Sequence, residues 1–130
     1  MNVANTLKLL GAFPLLYRSF EAPKSEHENC WIFRCADGWF ELLWELSVAI
    51  EAAARSEGRT ETDWPFAIKV NEKNGTLRFH LDNYSNTMWH LTIDADELSS
   101  QICEQCGAPG TIHHRTWLEA LCVPCSQLPE

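Results

Sequence analysis

The sequence predicts an α+β protein in which a long central helix packs on a small antiparallel sheet and a zinc ribbon follows at the carboxyl end. Three observations support this class: apolar residues recur at helical spacing over residues 38–56, two alternating segments flank an Asn-Gly dipeptide, and four cysteines form two C-x-x-C pairs. We expect residues 1–100 to form the α+β core and residues 101–130 the ribbon, within one folding unit.

The first predicted element is a short helix over residues 5–12. Asn5 or Thr6 can cap its start, because their side chains accept hydrogen bonds from free backbone N–H groups. Pro14 ends the helix, since proline cannot continue the hydrogen-bond ladder. A polar loop over residues 21–29 follows, and its acidic part is the stretch 25–28.

The central helix is predicted over residues 38–56. Asp37 lies at its start, where the helix dipole favours an anion, and Arg55 and Gly58 suit the last turn and the stop. The apolar stripe repeats at steps of three and four residues and comprises Trp39, Leu43, Leu46, Ile50 and Ala53, widened by Phe40, Trp44 and Val48.

A β-hairpin is predicted where residues 66–70 and 77–81 alternate around Asn74-Gly75. Period-two alternation predicts that one face packs on the helix and the other faces solvent. The inward set is Phe66, Ile68, Val70, Leu77, Phe79 and Leu81, and the outward set is Lys69, Arg78 and His80. Residues 87–100 are ambiguous: the spacing of Met88, Leu91, Ala95 and Leu98 suits a helix, whereas residues 89–93 could form a third strand. We expect the strand at 89–93 and then a helix capped by Asp94.

The two cysteine pairs are Cys103/Cys106 and Cys122/Cys125, separated by fifteen residues. This spacing places four thiolates around one tetrahedral Zn²⁺ ion, and Gly107 supplies the left-handed backbone position that such a knuckle needs. With four protein ligands there is no open coordination position, so we expect one structural ion and no catalysis at the metal.

The remaining cysteines, Cys30 and Cys35, are expected to stay thiols and to act as small hydrophobes. His80 is expected to be an exposed strand residue, because no carboxylate or nucleophile accompanies it in the pattern. His113 and His114 lie between the cysteine pairs, where either could replace one thiolate, although four cysteines already complete a tetrahedron.

The chain is acidic, with 18 Asp and Glu against 10 Lys and Arg and a formal charge of −8. Residues 94–130 contain a single basic residue, Arg115, so the ribbon should repel a phosphate backbone. We therefore expect a protein partner with a basic surface, no direct nucleic-acid partner and a monomer or small homo-oligomer. Trp31, Trp64 and Trp89 would anchor an interface if they are exposed.

The amino-terminal apolar run, residues 7–17, contains Lys8, Gly11 and Pro14. It is too short for a membrane span and has no convincing cleavage site, so we expect a cytoplasmic, reduced protein without a membrane partner.

Three motifs together carry a resemblance: residues 35–43, residues 73–79, and the first cysteine pair followed by Gly107, Pro109 and Gly110 with Trp117 and Cys122 downstream. The chain resembles small, mostly uncharacterised zinc-ribbon proteins of bacteriophages and prophages from about Phe13 onward. The resemblance implies a small cytoplasmic accessory protein of a class that includes inhibitors of bacterial defence. Cys30 and the acidic stretch 25–28 depart from the group's pattern.

The predicted function is a non-enzymatic, zinc-stabilised acidic module that binds protein, such as a phage-encoded, anti-CRISPR-like inhibitor of a nucleic-acid-targeting defence complex. The alternative is a degenerate or divergent HNH-type metal-dependent nuclease, suggested by Cys103-x-x-Cys106 followed by His113-His114. Against this alternative, the chain lacks the longer catalytic segment of that family, because only seven residues separate His114 from Cys122. A third possibility is nucleic-acid binding through Lys69, Lys73 and Arg78 with aromatic stacking.

Overall fold

The structure, a computed structural model, describes residues 1–23 and 32–130. Cys30, Trp31 and the acidic stretch 25–28 lie outside the described residues. The described chain forms the predicted α+β fold, with helices beside small sheets and the four cysteines clustered at the carboxyl end. No helix in these two ranges combines the length and apolar character that crossing a bilayer requires.

The amino-terminal helix, α1, spans Val3–Ala12 and begins two residues earlier than predicted. Its cap is Asn2, whose side-chain oxygen accepts the backbone N–H of Asn5 at 2.8 Å. The prediction that Asn5 or Thr6 caps this helix was wrong, because Asn2 offers the same chemistry one turn earlier and Thr6 instead donates its hydroxyl to the Asn2 carbonyl.

The central helix, α2, spans Phe40–Ser56 and is preceded by a 3₁₀ turn at Asp37–Trp39. Gly58 ends it with a φ of 71°, and the N–H of Arg59 reaches back to the Ala54 carbonyl at 3.1 Å. Together with the bond from the Gly58 N–H to the Arg55 carbonyl, 3.0 Å long, this contact forms a Schellman motif, which confirms the predicted stop. The buried face of α2 comprises Leu42, Leu43, Leu46, Ser47, Ile50 and Ala54. Val48, which was predicted to widen the apolar stripe, is 45% exposed and lies outside this buried face.

The hairpin is confirmed: β2 spans Phe66–Lys73, β3 spans Thr76–Asp82, and Asn74 and Gly75 both have positive φ, as a type I′ turn requires. A short strand, β1 at Phe33–Arg34, pairs in parallel with β2, which the sequence did not indicate. The sheet order is therefore β1-β2-β3.

The inward and outward sets of β2 need one correction. The register shifts between Ala67 and Lys69, so Ala67 and Val70 are fully buried whereas Ile68 is 52% exposed. A β-bulge adds one residue to a strand and reverses the alternation of inward and outward side chains beyond it. For this reason Ile68 is not buried in the core and Phe66 is only half-buried. On β3 the prediction was right, because Leu77, Phe79 and Leu81 are buried.

The segment expected to be a strand and then a helix is a single helix, α3, at Asn86–Ser99. Ser85 caps it by accepting the backbone N–H of Met88 at 3.3 Å, so Asp94 lies inside the helix and caps nothing. The buried positions Met88, Thr92, Ala95 and Ser99 follow helical spacing, but two of them are hydroxyl residues that an apolar pattern does not count.

The ribbon contains a second, two-stranded sheet in which β4 at Thr111–His114 pairs antiparallel with β5 at Leu118–Leu121. A short helix, α4, follows at Val123–Ser126. Ala120 belongs to the main hydrophobic core, together with residues from α1, α2, α3 and the first sheet. The ribbon thus shares buried surface with the rest of the chain.

Candidate metal centre and the ribbon surface

The first cysteine pair lies on a tight knuckle between α3 and β4. The N–H of Gly107 donates to the Cys103 carbonyl at 2.9 Å, and the N–H of Cys103 donates to the Ala108 carbonyl at 2.7 Å. Gly107 has a φ of 82°, a conformation that is strained for residues with a Cβ. The predicted left-handed glycine is therefore confirmed, and it turns the chain so that Cys106 follows Cys103 around one point.

The second pair lies at the start of α4. Cys122 is the residue that precedes this helix, and the N–H of Ser126 donates to its carbonyl at 3.0 Å. Pro124 occupies the first turn, where the missing N–H costs no intrahelical bond. This single turn brings Cys125 to the same side as Cys122.

The two knuckles bring together all four predicted ligands. Their Sγ atoms lie within 4.8 Å of one another, and Cys106 Sγ is 3.6 Å from Cys122 Sγ. A tetrahedral ion with Zn–S bonds of about 2.3 Å separates its sulfurs by about 3.8 Å, so small movements suffice to complete such a site. The four cysteines can therefore hold one metal ion. Neither His113 nor His114 belongs to this group, and no other set of three or more His, Cys, Asp or Glu in residues 1–23 and 32–130 is arranged to hold a metal.

The pKa values of the sulfurs differ across the cluster. Burial raises the pKa of Cys103, but the backbone N–H groups of Cys122, Cys106 and Gln105 outweigh it and lower the pKa to about 7. The pKa of Cys125 is raised to about 12, first by hydrogen bonding with the Cys122 side chain and then by burial. A divalent cation binding here would displace the remaining thiol protons, and its positive charge would offset the repulsion between the four thiolates.

The first knuckle is seated on the start of the central helix. The N–H of Gly38 donates to the Glu104 carbonyl at 2.7 Å, and the indole N–H of the fully buried Trp39 donates to the Ile102 carbonyl at 3.0 Å. The Glu104 carboxylate accepts the backbone N–H of Ala36 at 2.9 Å. A Cβ on Gly38 would lie 2.2 Å from the Cys103 carbonyl oxygen, so only glycine allows this contact.

The Glu104 side chain is partly buried in an acidic environment. Burial, together with the charges of Glu72 and Glu119, raises its pKa, whereas the Ala36 N–H lowers it. Glu104, which directly follows Cys103 in the sequence, therefore lies near enough to two other carboxylates for their charges to raise its pKa.

The other residues singled out from the sequence lie away from the cysteine cluster. His80 is exposed on β3, as predicted, and His114 is exposed on β4. The Nε2 atom of His113 lies 3.4 Å from the hydroxyl oxygen of Thr111. Cys35 is 8% exposed, and burial, followed by the charge of Glu104, raises its pKa to about 12, which fits the predicted role as a small hydrophobe.

The residues predicted to form cationic and aromatic surfaces also lie away from the cysteine cluster. Arg78 forms an ion pair with Asp96 at 3.5 Å, whereas Lys69 and Lys73 are exposed on β2. Trp64 is 7% exposed and donates its indole N–H to Glu51, so it is a core residue and not an interface anchor. Trp89 is 44% exposed.

The sequence did not predict the ribbon's most exposed aromatic side chain, Trp117, which is 67% exposed next to the β4–β5 turn. It lines a surface groove with Leu128, which is 61% exposed. Exposure of two large apolar side chains at one groove could not be read from the pattern, because both flank polar residues in short, irregular segments.

These features define the class as an α+β protein with a carboxyl-terminal four-cysteine metal ribbon. No family model, curated protein or solved structure matches this chain. The resemblance to phage zinc-ribbon proteins therefore stays a prediction.

Proposed function

We propose that this protein is a non-enzymatic, zinc-stabilised acidic module that binds a protein partner with a basic surface. In a phage or prophage setting the partner would be a bacterial complex that targets nucleic acid, which the module would inhibit in the manner of an anti-CRISPR protein. The observation that carries the proposal is a formal charge of −8 on a fold whose metal group consists of four thiolates.

The choice of zinc is supported by the donor set. Four sulfur ligands at tetrahedral spacing favour Zn²⁺ over the oxygen-preferring Mg²⁺ and Ca²⁺. Four thiolates around Zn²⁺ carry a net charge of about −2, which adds to the acidity of the chain. A fully coordinated ion leaves no position for an activated water, so its proposed role is to shape the ribbon.

Inhibition by occlusion is supported by the sign of the charge. Effector complexes hold guide and target nucleic acids in a positively charged channel. An acidic protein is attracted to such a channel and competes with the phosphate backbone for it. Binding of this kind weakens as the salt concentration rises, because exposed charges are screened.

The test uses the purified chain in two steps. Native mass spectrometry should find one zinc ion per chain, and Cys106→Ser should lose it. The zinc-loaded protein is then added to a panel of purified CRISPR effector complexes, and target-DNA binding is measured at 50 and 200 mM salt. We expect release of DNA from at least one complex, with less release at the higher salt. No metal in the reduced, folded protein, or no effect on any complex, would contradict the proposal.

The HNH-type nuclease is the alternative that the same material can test. Plasmid DNA is incubated with the protein and Mg²⁺, Mn²⁺ or Ni²⁺, alongside His114→Ala. Cleavage that disappears in this variant would replace the binding module with an enzyme. Salt-sensitive binding of free DNA or RNA, lost in Lys69→Ala, would instead favour the third possibility.

A further inference from the structure

The ribbon carries a surface groove between the β4–β5 turn and the carboxyl-terminal residues. Its exposed apolar walls are Trp117 and Leu128, and its polar rim includes Glu119 and Glu130. We propose that this groove, the ribbon groove, binds an extended segment of the partner protein that presents an apolar side chain flanked by Lys or Arg. The proposal rests on the proposed function and assigns it a contact surface.

The ribbon groove is held in shape by Arg115. One guanidinium nitrogen donates to the carbonyls of Ser126 at 3.2 Å and Leu128 at 3.0 Å, so the residues after the second cysteine pair are fixed against the turn. The Glu130 carboxylate is 3.2 Å from Arg115 Nε and accepts the N–H of Thr116 at 2.8 Å. A preformed groove loses little conformational freedom when a partner binds, which favours affinity.

The charge of the ribbon groove selects a basic occupant. Arg115 is the only cation that lines it in the described part of the chain, and its Nε already lies 2.9 Å from Glu119 and 3.2 Å from Glu130. Two carboxylates therefore face one arginine. Cys125 also lines the groove, so a metal centre of about −2 forms part of the wall. Lys or Arg beside an apolar anchor would meet this charge while the anchor packs on Trp117.

The chain contains a second exposed tryptophan in different surroundings, which provides a matched control. Trp89 lines a groove between β3 and α3, where Arg78 and His80 lie beside it together with Asp96. Cationic and acidic side chains are mixed there, so this groove has no charge preference for a basic segment. An aromatic surface without selectivity for charge would respond equally at both tryptophans.

The experiment measures binding of two fluorescent nine-residue peptides to the zinc-loaded chain by anisotropy. One peptide has Leu-Phe-Leu between Lys and Arg residues, and the other has Glu at every basic position. We expect binding of the basic peptide alone, a shift of the Trp117 indole signal in NMR spectra, and weaker binding at 200 mM than at 50 mM salt.

The variants identify the surface. Trp117→Ala should weaken binding of the basic peptide about 30-fold, which is the loss expected of a hot-spot tryptophan, whereas Trp89→Ala should leave it within about twofold. Trp117→Phe should keep most of the affinity. Zinc content and far-UV circular dichroism confirm that each variant is folded, and an exposed side chain can be removed without a cavity.

Four results would overturn the proposal: no binding of the basic peptide, equal binding of the acidic one, a larger loss with Trp89→Ala, or a dimer that Trp117→Ala dissociates. The last result would assign the groove to a second copy of the chain. The proposed function and the ribbon groove can fail independently of each other. Inhibition of an effector complex that Trp117→Ala leaves intact would keep that function and exclude the groove, while peptide binding without any inhibition would do the reverse.

Discussion

Replacing Gly38 by alanine should loosen the ribbon from the core, because the added Cβ has no room. It would lie 2.2 Å from the Cys103 carbonyl oxygen and 2.4 Å from that of Glu104. Both neighbours are backbone atoms of the first knuckle, so no side chain can rotate away. The knuckle must move, and the hydrogen bond from the Gly38 N–H to Glu104, 2.7 Å long, is the first to break.

The expected cost follows from these contacts. Overpacking by one methyl group costs about 1–3 kcal/mol, and each net hydrogen bond that is lost costs about 1 kcal/mol. Movement of the knuckle also strains the bond from Trp39 Nε1 to the Ile102 carbonyl, 3.0 Å long. We therefore expect Gly38→Ala to lower the free energy of unfolding by about 3–5 kcal/mol, a large share of the 5–15 kcal/mol of a typical domain.

The measurement is urea unfolding of the metal-loaded protein, with Gly11→Ala as the control. A Cβ on Gly11 meets no atom within 4 Å, and this residue lies in α1, so alanine there should stabilise the protein by up to about 1 kcal/mol. A competition titration with a chelator should also show weaker metal binding by Gly38→Ala, since the displaced carbonyl belongs to the ligand Cys103. Equal stability of Gly38→Ala and the parent chain would refute the argument. Two separate unfolding transitions would show that core and ribbon are not one folding unit.

Three further predictions concern the core. Tyr17→Phe removes a buried 2.5 Å hydrogen bond to Ser47 and should cost about 1 kcal/mol in urea unfolding at pH 8. Burial raises the pKa of Tyr17, so the stability contributed by its protonated hydroxyl is present below pH 10 and is lost as the pH rises further, and the difference from Tyr17→Phe should shrink there. Ser85→Ala removes the cap of α3 and the hydrogen bond that Ser85 donates to Glu57 at 2.7 Å, so it should lower the melting temperature by several degrees, equivalent to about 1 kcal/mol, whereas Ser85→Thr keeps the hydroxyl and should restore most of it. In a Cys30→Ser background, Cys35 should resist a thiol reagent at pH 8 until the protein unfolds, because burial raises its pKa to about 12; rapid labelling of the folded, zinc-loaded protein would contradict this.

The parts of the fold that sequence reasoning predicted correctly are those fixed by local chemistry. Two C-x-x-C pairs predict that four cysteines lie together, and their Sγ atoms do lie within 4.8 Å of one another, because each pair spans one knuckle. Asn74-Gly75 identifies the hairpin turn, because few other dipeptides accept positive φ at both positions. Gly58 identifies the end of α2, because glycine readily adopts the positive φ that follows the last helical turn.

The errors arose where a distant part of the chain decides the local structure. Residues 89–93 alternate like a strand, yet the hydroxyl of Ser99 accepts the N–H of Leu77 at 2.8 Å and helps to fix the segment to β3 as a helix. The bulge between Ala67 and Lys69 coincides with bonds from the preceding loop: the N–H of Ala67 donates to the Leu16 carbonyl at 2.8 Å, and its carbonyl accepts the Ser19 hydroxyl at 2.6 Å. The apolar periodicity within each segment carries no information about these contacts with distant residues.

The candidate site shows the same division. Its four ligands follow from spacing, but its position follows from Gly38, which the helical pattern treats only as the start of α2. That position brings Ala120 into the core and leaves Trp117 in solvent on the neighbouring part of the same hairpin. The sequence shows Arg115 as the one positive charge on an acidic ribbon. In the structure its guanidinium forms ion pairs with Glu119 and Glu130.

A divalent ion held by the four cysteines would therefore have two physical consequences. It would fix the knuckles and so orient the β4–β5 hairpin against the core. Because Cys125 lines the ribbon groove, the excess thiolate charge would also become part of the groove wall. Shape and charge of the proposed binding surface would thus depend on the same ion. A four-thiolate site suits this role better than one with neutral histidine ligands, because replacing two thiolates by imidazoles would keep the fold but leave the centre neutral.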